Sequence, residues 1–355
     1  MSNKEPWLAV NLSKIFPGIG QIYTGYQIKG YLFILVTISL FILSLWLVLS
    51  PTVNILFAVA CLLLNVIFGF WNLFDAYASA KSKNSQEFEE LRKQNKDPWL
   101  AMFLSQLFWG LGQFYLGQWL LGIVAIIIIL IVSSFLPVLL PVIYAGISYL
   151  AYSLSPVQRE TSKKTAFLVS LGPIISIILS FALAFSVRTY IAEARWIPTA
   201  AMEPTLHGKL NRWEADSILV DKLIYHFEPP QRGDIIVFSP TESLIKEGYT
   251  EAFIKRIIAL PNEKVELKNG KVLINNQPLA EDKYLASNQR TEIDVCISTP
   301  YLSKPVTIPS DSYLVLGDNR MNSFDGRCWG VVPRNLIIGK ASKIFFPPDR
   351  IGKIN

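Results

Sequence analysis

Histidine, cysteine and charge are scarce in these 355 residues: two histidines, three cysteines, and only 17% Asp, Glu, Lys and Arg. His207 and His226 stand apart, and Cys61, Cys296 and Cys328 follow no metal-ligand spacing, so no metal site is expected. Cys61 lies in an apolar run. Cys296 and Cys328 could pair in an oxidising compartment, but sequence does not show proximity, and they are read as two free thiols. No nucleic-acid-binding motif appears, nor any sign of a nucleotide or flavin site, so neither a nucleic-acid partner nor a cofactor is expected. A cleavable signal peptide is also missing. Met1 to Pro17 has polar breaks and no compact apolar core ending in small residues, so the first long apolar run is expected to insert the chain.

What the chain has is apolar surface. Hydrophobic residues make up 51%, too many for an ordinary soluble protein of two or so domains, and point to several membrane spans. Runs at roughly 30–50, 53–76, 118–135, 138–154 and 165–190 are each near the ~20 residues a bilayer needs. The links at Ser50-Pro51-Thr52 and Leu136-Pro137 carry no charge. The loops at 77–97 (Lys81, Lys83, Arg92, Lys93, Lys96) and 155–164 (Arg159, Lys163, Lys164) are basic. The net charge of +6 therefore reads as topology, with these loops and the N-terminus in the cytoplasm. Five crossings then place everything after residue 190 on the far side.

The first half is duplicated. Pro6-Trp7-Leu8-Ala9 recurs as Pro98-Trp99-Leu100-Ala101, 92 residues on. At the same offset Gly18-Ile19-Gly20-Gln21-Ile22-Tyr23-Thr24-Gly25 recurs as Gly110-Leu111-Gly112-Gln113-Phe114-Tyr115-Leu116-Gly117. Each unit reads as an amphipathic entry, a glycine turn and two spans. The glycines permit close backbone approach or positive φ. The pattern resembles small bacterial transmembrane domains with a Gly-x-Gln-x-Tyr turn before a helical hairpin, and implies helix packing rather than chemistry.

After residue 190 the pattern becomes short β-type runs: 217–220, 234–238, 252–260, 265–267, 272–274, 313–316 and 341–346. Asn269-Gly270 between two of them is a strong hairpin signal. Four segments stand out. Ile197-Pro198-Thr199-Ala200-Ala201-Met202-Glu203-Pro204-Thr205-Leu206 is a stiff, non-helical stretch just beyond the last span. Arg232–Phe238 is a turn entering a buried strand. In Phe253–Pro261, alternation sets Lys255 beside Phe253, Ile257 and Ala259, on an apolar face where burial would lower its pKa. Such a lysine either snorkels to water or acts as a general base. The fourth, Leu316–Gly330, is a polar turn-rich loop in which Asp325 and Arg327 can pair and Ser323 can bond an amine; alone it reads equally as a surface Asx-turn loop.

Taken in order, these four segments resemble the type I signal peptidases, membrane-anchored serine–lysine endopeptidases that remove signal peptides. The family patterns Pro-Ser-x-Ser-Met-x-Pro-Thr-Leu, Arg-Gly-Asp-Ile-x-Val-Phe, Ile-Lys-Arg…Leu-Pro and Gly-Asp-Asn-x-x-x-Ser-x-Asp-x-Arg-x-Trp-Gly fall on residues from about 170 to 350. The resemblance implies Lys255 as general base, Ser323 orienting it, Asp325 and Arg327 as a supporting pair, and Thr199 as oxyanion donor. Small-residue pockets for the substrate would involve Ile197, Met202 and Ile254. The nucleophile position is Ala201, which has no hydroxyl to give.

The expected architecture is an N-terminal all-α membrane region of about five helices and a C-terminal, mainly antiparallel β domain. Residues 1–160 would form the duplicated region (units of about 4–76 and 96–154), 161–190 an anchor, and 191–355 the extracytoplasmic domain of a plasma or thylakoid-type membrane. The implied partners are signal peptides of exported precursors, the bilayer and the export machinery. Three functions compete: a peptidase-type protein stopped at Ala201, a non-catalytic pseudo-peptidase that holds signal peptides or a partner peptidase, and a membrane scaffold built on the repeated hairpins.

Overall fold

The computed structural model describes residues 3–50, 55–157, 163–296 and 300–354, so Pro51, Thr52 and Arg159 of the expected loops lie outside the described residues. The chain divides into two compact units, Met1–Leu45 with Ala58–Ala184, and Phe185–Asn355 with Trp46–Phe57.

The helical unit repeats itself in space as it does in sequence. Helices Pro6–Ile15 and Ile19–Tyr23 lead into Gln27–Leu49 and Ile55–Lys81; Pro98–Leu107 and Leu111–Tyr115 lead into Trp119–Phe135 and Leu140–Ser153. Both readings of the glycines hold, each for a different glycine. Gly18 and Gly110 turn the chain at φ +97° and +75°, which side chains rarely adopt. Gly20 and Gly112 give close approach: a Cβ on Gly112 would stand 2.0 Å from the Ala101 carbonyl oxygen and 2.2 Å from Ser105 Oγ. The glutamine that follows closes the unit. Ser13 Oγ donates to Gln21 Oε1 (3.3 Å) and Ser105 Oγ to Gln113 Oε1 (3.1 Å). The two glutamine amides reach the hairpins through the carbonyls of Asn72 (3.2 Å) and Ile147 (3.0 Å). Gly112→Ala must therefore separate two helices or strip that bond. A loss of about 1–3 kcal/mol is expected, seen as a lower melting temperature of the detergent-solubilised chain; an unchanged melt refutes the packing role.

Among the described residues three helices are long and apolar enough to cross a membrane, Gln27–Leu49, Leu56–Lys81 and Lys163–Ile191. The runs expected at 118–135 and 138–154 form apolar but shorter helices, Trp119–Phe135 and Pro137–Ser153. At 1.5 Å per residue a 17-residue helix reaches only about 25 Å.

The second unit is antiparallel β throughout its described pairings. Its strands are β1 (Ala192–Trp196), β2 (Ser217–Asp221), β3 (Ile235–Phe238), β4 (Phe253–Ala259), β5 (Lys264–Lys268) and β6 (Lys271–Ile274). They are followed by β7 (Gln277–Pro278), β8 (Val306–Thr307), β9 (Ser312–Leu316), β10 (Val332–Pro333), β11 (Ile337–Phe346) and β12 (Gly352–Lys353). One sheet runs β1-β2-β11-β3-β4-β9-β10, with β12 on β11; a smaller one runs β7-β6-β5-β8. The Asn269-Gly270 turn joins β5 to β6 with φ of +55° and +71°, the positive pair a tight hairpin needs. Alternate residues of the large sheet fill two cores, one around Phe238, Ile257, Val315 and Trp329, the other around Ile197, Met202, Val220 and Ile235.

One expectation fails outright. Cys296 and Cys328 are not free thiols but a disulfide. Their partnership is made by tertiary contacts that spacing does not show. Cys328 belongs to the core around Trp329 with Cys296 packed against it, and Arg327 Nη1 donates to the Glu292 carbonyl (2.8 Å), drawing the two segments together.

Candidate active site

Strand β4 presents two consecutive basic residues, and its pleat sends them to opposite faces. Both are buried, Lys255 at 4% exposure and Arg256 at 3%. A buried guanidinium needs a carboxylate, and Arg256 finds Asp318 in a two-pronged pair, Nε–Oδ1 2.9 Å and Nη2–Oδ2 2.7 Å. The Thr205 hydroxyl donates to the same carboxylate (2.6 Å). Asp318 thus ties the Ile197–Leu206 segment to β4. Arg256, Asp318 and Thr205 carried no assigned role in the sequence, although the two adjacent basic residues on one strand were the signal.

Ala201 sits in a single 3-10 turn, Ala200–Met202, a small correction to the non-helical reading of this stretch; Glu203–Pro204 that follows is a cis peptide. The segment is sewn to the polar loop after β9. Asn319 donates its amide to the Ala201 carbonyl (3.1 Å) and its Nδ2 to the Ala200 carbonyl (3.1 Å). Gly317 lies between two site elements: a Cβ there would stand 2.5 Å from the Ala201 carbonyl oxygen and 2.1 Å from Ser323 Oγ. Arg256 pairs with Leu316 across the β4–β9 ladder, and Gly317 follows directly where β9 ends. The turn bearing Ala201 and the serine thereby meet at one glycine, the residue after the strand that pairs with the lysine strand.

Lys255 shares its face with Phe253 and Ile257, as alternation implied. Ala259 does not follow, because a bulge between Ile257 and Ala259 moves it into a third core beside Ile258. Burial pushes the Lys255 amine down to about 8, the Asp325 and Asp318 carboxylates pull it back up, and Arg327 opposes them. Its ammonium lies 5.5 Å from the Phe253 ring centroid and donates to the Ile254 carbonyl (3.0 Å). The expected hydrogen bond with Ser323 is not the one formed here. Ser323 Oγ is tucked against Gly317, buried and without a partner among the described residues, while the amine turns to its own strand.

The Asp325–Arg327 pair forms as expected and is fully buried. Arg327 grips the carboxylate with Nε (2.8 Å) and Nη2 (3.0 Å), and its Nη2 also reaches the carbonyls of Arg320 (2.7 Å) and Ser323 (3.1 Å). Asp325 accepts the Gly317 amide as well (3.0 Å). A second buried guanidinium, Arg320, pairs with Glu281 and donates to the Gly317 carbonyl (3.0 Å). The polar loop is therefore a buried, cross-linked bracket rather than a surface loop, with the Asx-type bond from the Arg327 amide to Asp325 inside it (3.2 Å).

Thr199 is exposed and makes no capping bond to the 200–202 turn; its carbonyl packs on Gly208. Ile197 and Ile254 line one groove of about 630 Å³ with Trp196, Pro198 and Ala252. Met202 does not line it. It is fully buried in the core that Ile197 and Ile254 border, so it supports the groove from beneath. Among the described residues no cluster of His, Cys, Asp and Glu could hold a metal.

Residues 170–346 match the family described as "Signal peptidase, peptidase S26". The chain is 46% identical over 201 residues to signal peptidase I of Leptolyngbya laminosa, covering 56% of this chain and 91% of that protein. It is 40% identical to the probable signal peptidase I-2 of Synechocystis (55% of this chain, 84% of that protein). It is 35% identical to the probable thylakoidal processing peptidase 2 of Arabidopsis thaliana (47% and 41%). Among solved structures, a signal peptidase I from Enterococcus faecalis aligns at 30% identity over 32% of this chain and 98% of that one, with a TM-score of 0.25.

Proposed function

Because this chain belongs to the signal peptidase I family, we propose that it engages the signal-peptide ends of exported precursors at the outer face of a membrane, and that the family's cleavage chemistry stops at Ala201. One observation carries the reading: a buried lysine, its amine lowered to about 8, feels the Asp325 carboxylate, which accepts the amide of Gly317, and the Ala201 carbonyl packs against that same glycine. A neutral amine can take a proton from a hydroxyl, and the resulting oxygen can attack a peptide carbonyl. A methyl group has no such proton and no lone pair. Thr199, two residues earlier, is assigned the oxyanion role rather than the attack. Ser323, Asp325 and Arg327 hold the loop that faces the lysine. Ile197 and Ile254 shape the groove for small side chains such as those of an Ala-x-Ala end, with Met202 beneath them.

The chain is a membrane protein, with three helices among the described residues able to cross. The basic loops at 77–97 and 155–164 favour a cytoplasmic N-terminus. From there the three candidate spans among the described residues, with or without the short pair Trp119–Phe135 and Pro137–Ser153, assign residues 191–355 to the far side. The duplicated region, about 1–160, lies before the family match.

The test is capture without turnover. A photoreactive residue at Ile254, in the full chain in proteoliposomes, is expected to crosslink a precursor bearing an Ala-x-Ala end. The adduct should fall when those alanines become bulky, and no mature product should appear. Failure to capture any precursor by the folded chain removes the proposal.

A further inference from the structure

Between β7 and β8 the chain leaves the small sheet and reaches the bracket around Gly317. Residues 281–292 form no strand, yet they are fastened at both ends. On the small-sheet side the Leu279 amide donates to the Val272 carbonyl and the Thr291 amide to the Gly270 carbonyl (both 2.9 Å). On the other side the Met321 amide donates to Gln289 Oε1 (3.1 Å).

The strongest tie is ionic. Arg320 has no exposed surface, and a guanidinium so placed needs a carboxylate. Glu281 supplies both of its oxygens, Oε1 to Nη2 and Oε2 to Nη1, while buried Thr291 accepts from Nη1. The remaining donor, Nε, is thereby aimed at the Gly317 carbonyl (3.0 Å). The Gly317 amide goes to Asp325 (3.0 Å). Both polar groups of this glycine are thus held by charged side chains, one of them oriented by Glu281. The next residue, Asp318, is paired with Arg256, whose guanidinium lies 4.1 Å over the Tyr284 ring. The Tyr284 hydroxyl donates back to Glu281 Oε1 (2.8 Å). One carboxylate and one ring therefore grip residues 317 and 318 together.

We propose that Glu281 and Tyr284 are positioning residues of the site, which set Gly317 and Asp318, and through them the Ala201 turn and the Asp325 carboxylate, from outside the large sheet. Their bearing on cleavage rests on the functional reading above; their hold on Lys255 does not. The charged groups that act on Lys255 are Asp325, Asp318 and Arg327. Arg320 feels Asp325 as well as Glu281. With Glu281 made neutral, Arg320 draws on Asp325 instead, and that carboxylate serves Lys255 less. The lysine amine should then lose its proton at lower pH.

The test labels the full, detergent-solubilised chain with trace acetic anhydride across pH, and reads the acetylated fraction of the Lys255 peptide by mass spectrometry. Glu281→Gln is expected to lower the half-labelling pH by about 0.5–1 unit. Glu263→Gln, which breaks the pair with Arg232 at the turn into β5, is the control for general loosening and should leave it in place. Tyr284→Phe deletes only the hydroxyl bond and should give a smaller shift in the same direction; it carries the test if Glu281→Gln does not fold. No shift in the folded variants overturns the proposal, and so does an equal shift in Glu263→Gln. In an Ala201→Ser background Glu281→Gln is expected to lower kcat about tenfold or more with KM unchanged. An undiminished kcat also overturns the proposal. Absence of cleavage by Ala201→Ser alone counts against the functional reading, and the labelling then decides the positioning role by itself.

Discussion

Ala201→Ser is expected to turn this chain into a signal-peptide-cleaving enzyme. Removal of the nucleophile of a serine protease costs about 10⁶ in kcat, so the gain should lie near that size, from no detectable product to measurable turnover of a membrane-borne precursor. The reaction should depend on pH in one direction. Below about 8 the Lys255 amine is protonated and cannot accept the serine proton; above it the neutral form dominates. Cleavage should therefore rise tenfold per pH unit on the acid side and level off above about 8. Lys255→Ala in the same background should abolish it. A rate indifferent to pH, or one that survives loss of Lys255, would show that some other group does the work. No cleavage by a folded, inserted Ala201→Ser chain would show that the retained lysine and bracket no longer form a competent site.

Most of the geometry behind this prediction was legible before the structure, for reasons tied to particular residues. Lys255 could be placed because β alternation needs no tertiary knowledge. It failed at Ala259, where a bulge shifts the phase by one residue and no local residue announces it. The seven strands read from the sequence are those with runs of Ile, Val, Phe or Tyr. The ones missed are β1, where Ala192 and Ala194 alternate with charged residues but no β-branched residue marks the strand, and the two-residue strands β7, β8, β10 and β12, too short for any period to register. The Asp325–Arg327 pair was visible because its members are two residues apart. Arg256–Asp318, 62 residues apart, and the Cys296–Cys328 disulfide, 32 apart, were not. Both pairings exist only once β4, β9 and the loop beyond are docked. The Ser323 bond to Lys255 was inferred from a family role. Here Ser323 Oγ is tucked against Gly317, and the lysine donates to an acceptor in its own strand.

Arg327→Met should be the most damaging single change to the β unit that leaves the catalytic positions untouched. Methionine has a similar volume, though a shorter reach, and no donor, so it fills most of the space while deleting every bond the guanidinium makes. The Asp325 carboxylate, with no exposed surface, would keep only the amides of Gly317 and Arg327. The carbonyls of Glu292, Arg320 and Ser323 would each lose a donor. Breaking one side of a buried pair costs about 3–5 kcal/mol, because the remaining charge stays out of water unpaired. The expected readout is a loss of that size in urea denaturation. The double change Arg327→Met with Asp325→Leu separates charge from packing. With both charges gone, most of the loss should return, since a buried pair replaced by apolar groups of similar volume is often neutral or better. If the double variant is no more stable than Arg327→Met alone, the three carbonyl bonds, rather than the ion pair, hold the bracket. In that case Ser323 and Gly317 should drift from the lysine strand, and an Ala201→Ser chain carrying the double change should stay inactive even where it is folded. If stability returns with activity, the pair is a packing element that apolar side chains can replace. The site's geometry would then depend on the Asp318–Arg256 tie and the Asn319 bonds to the Ala200 and Ala201 carbonyls.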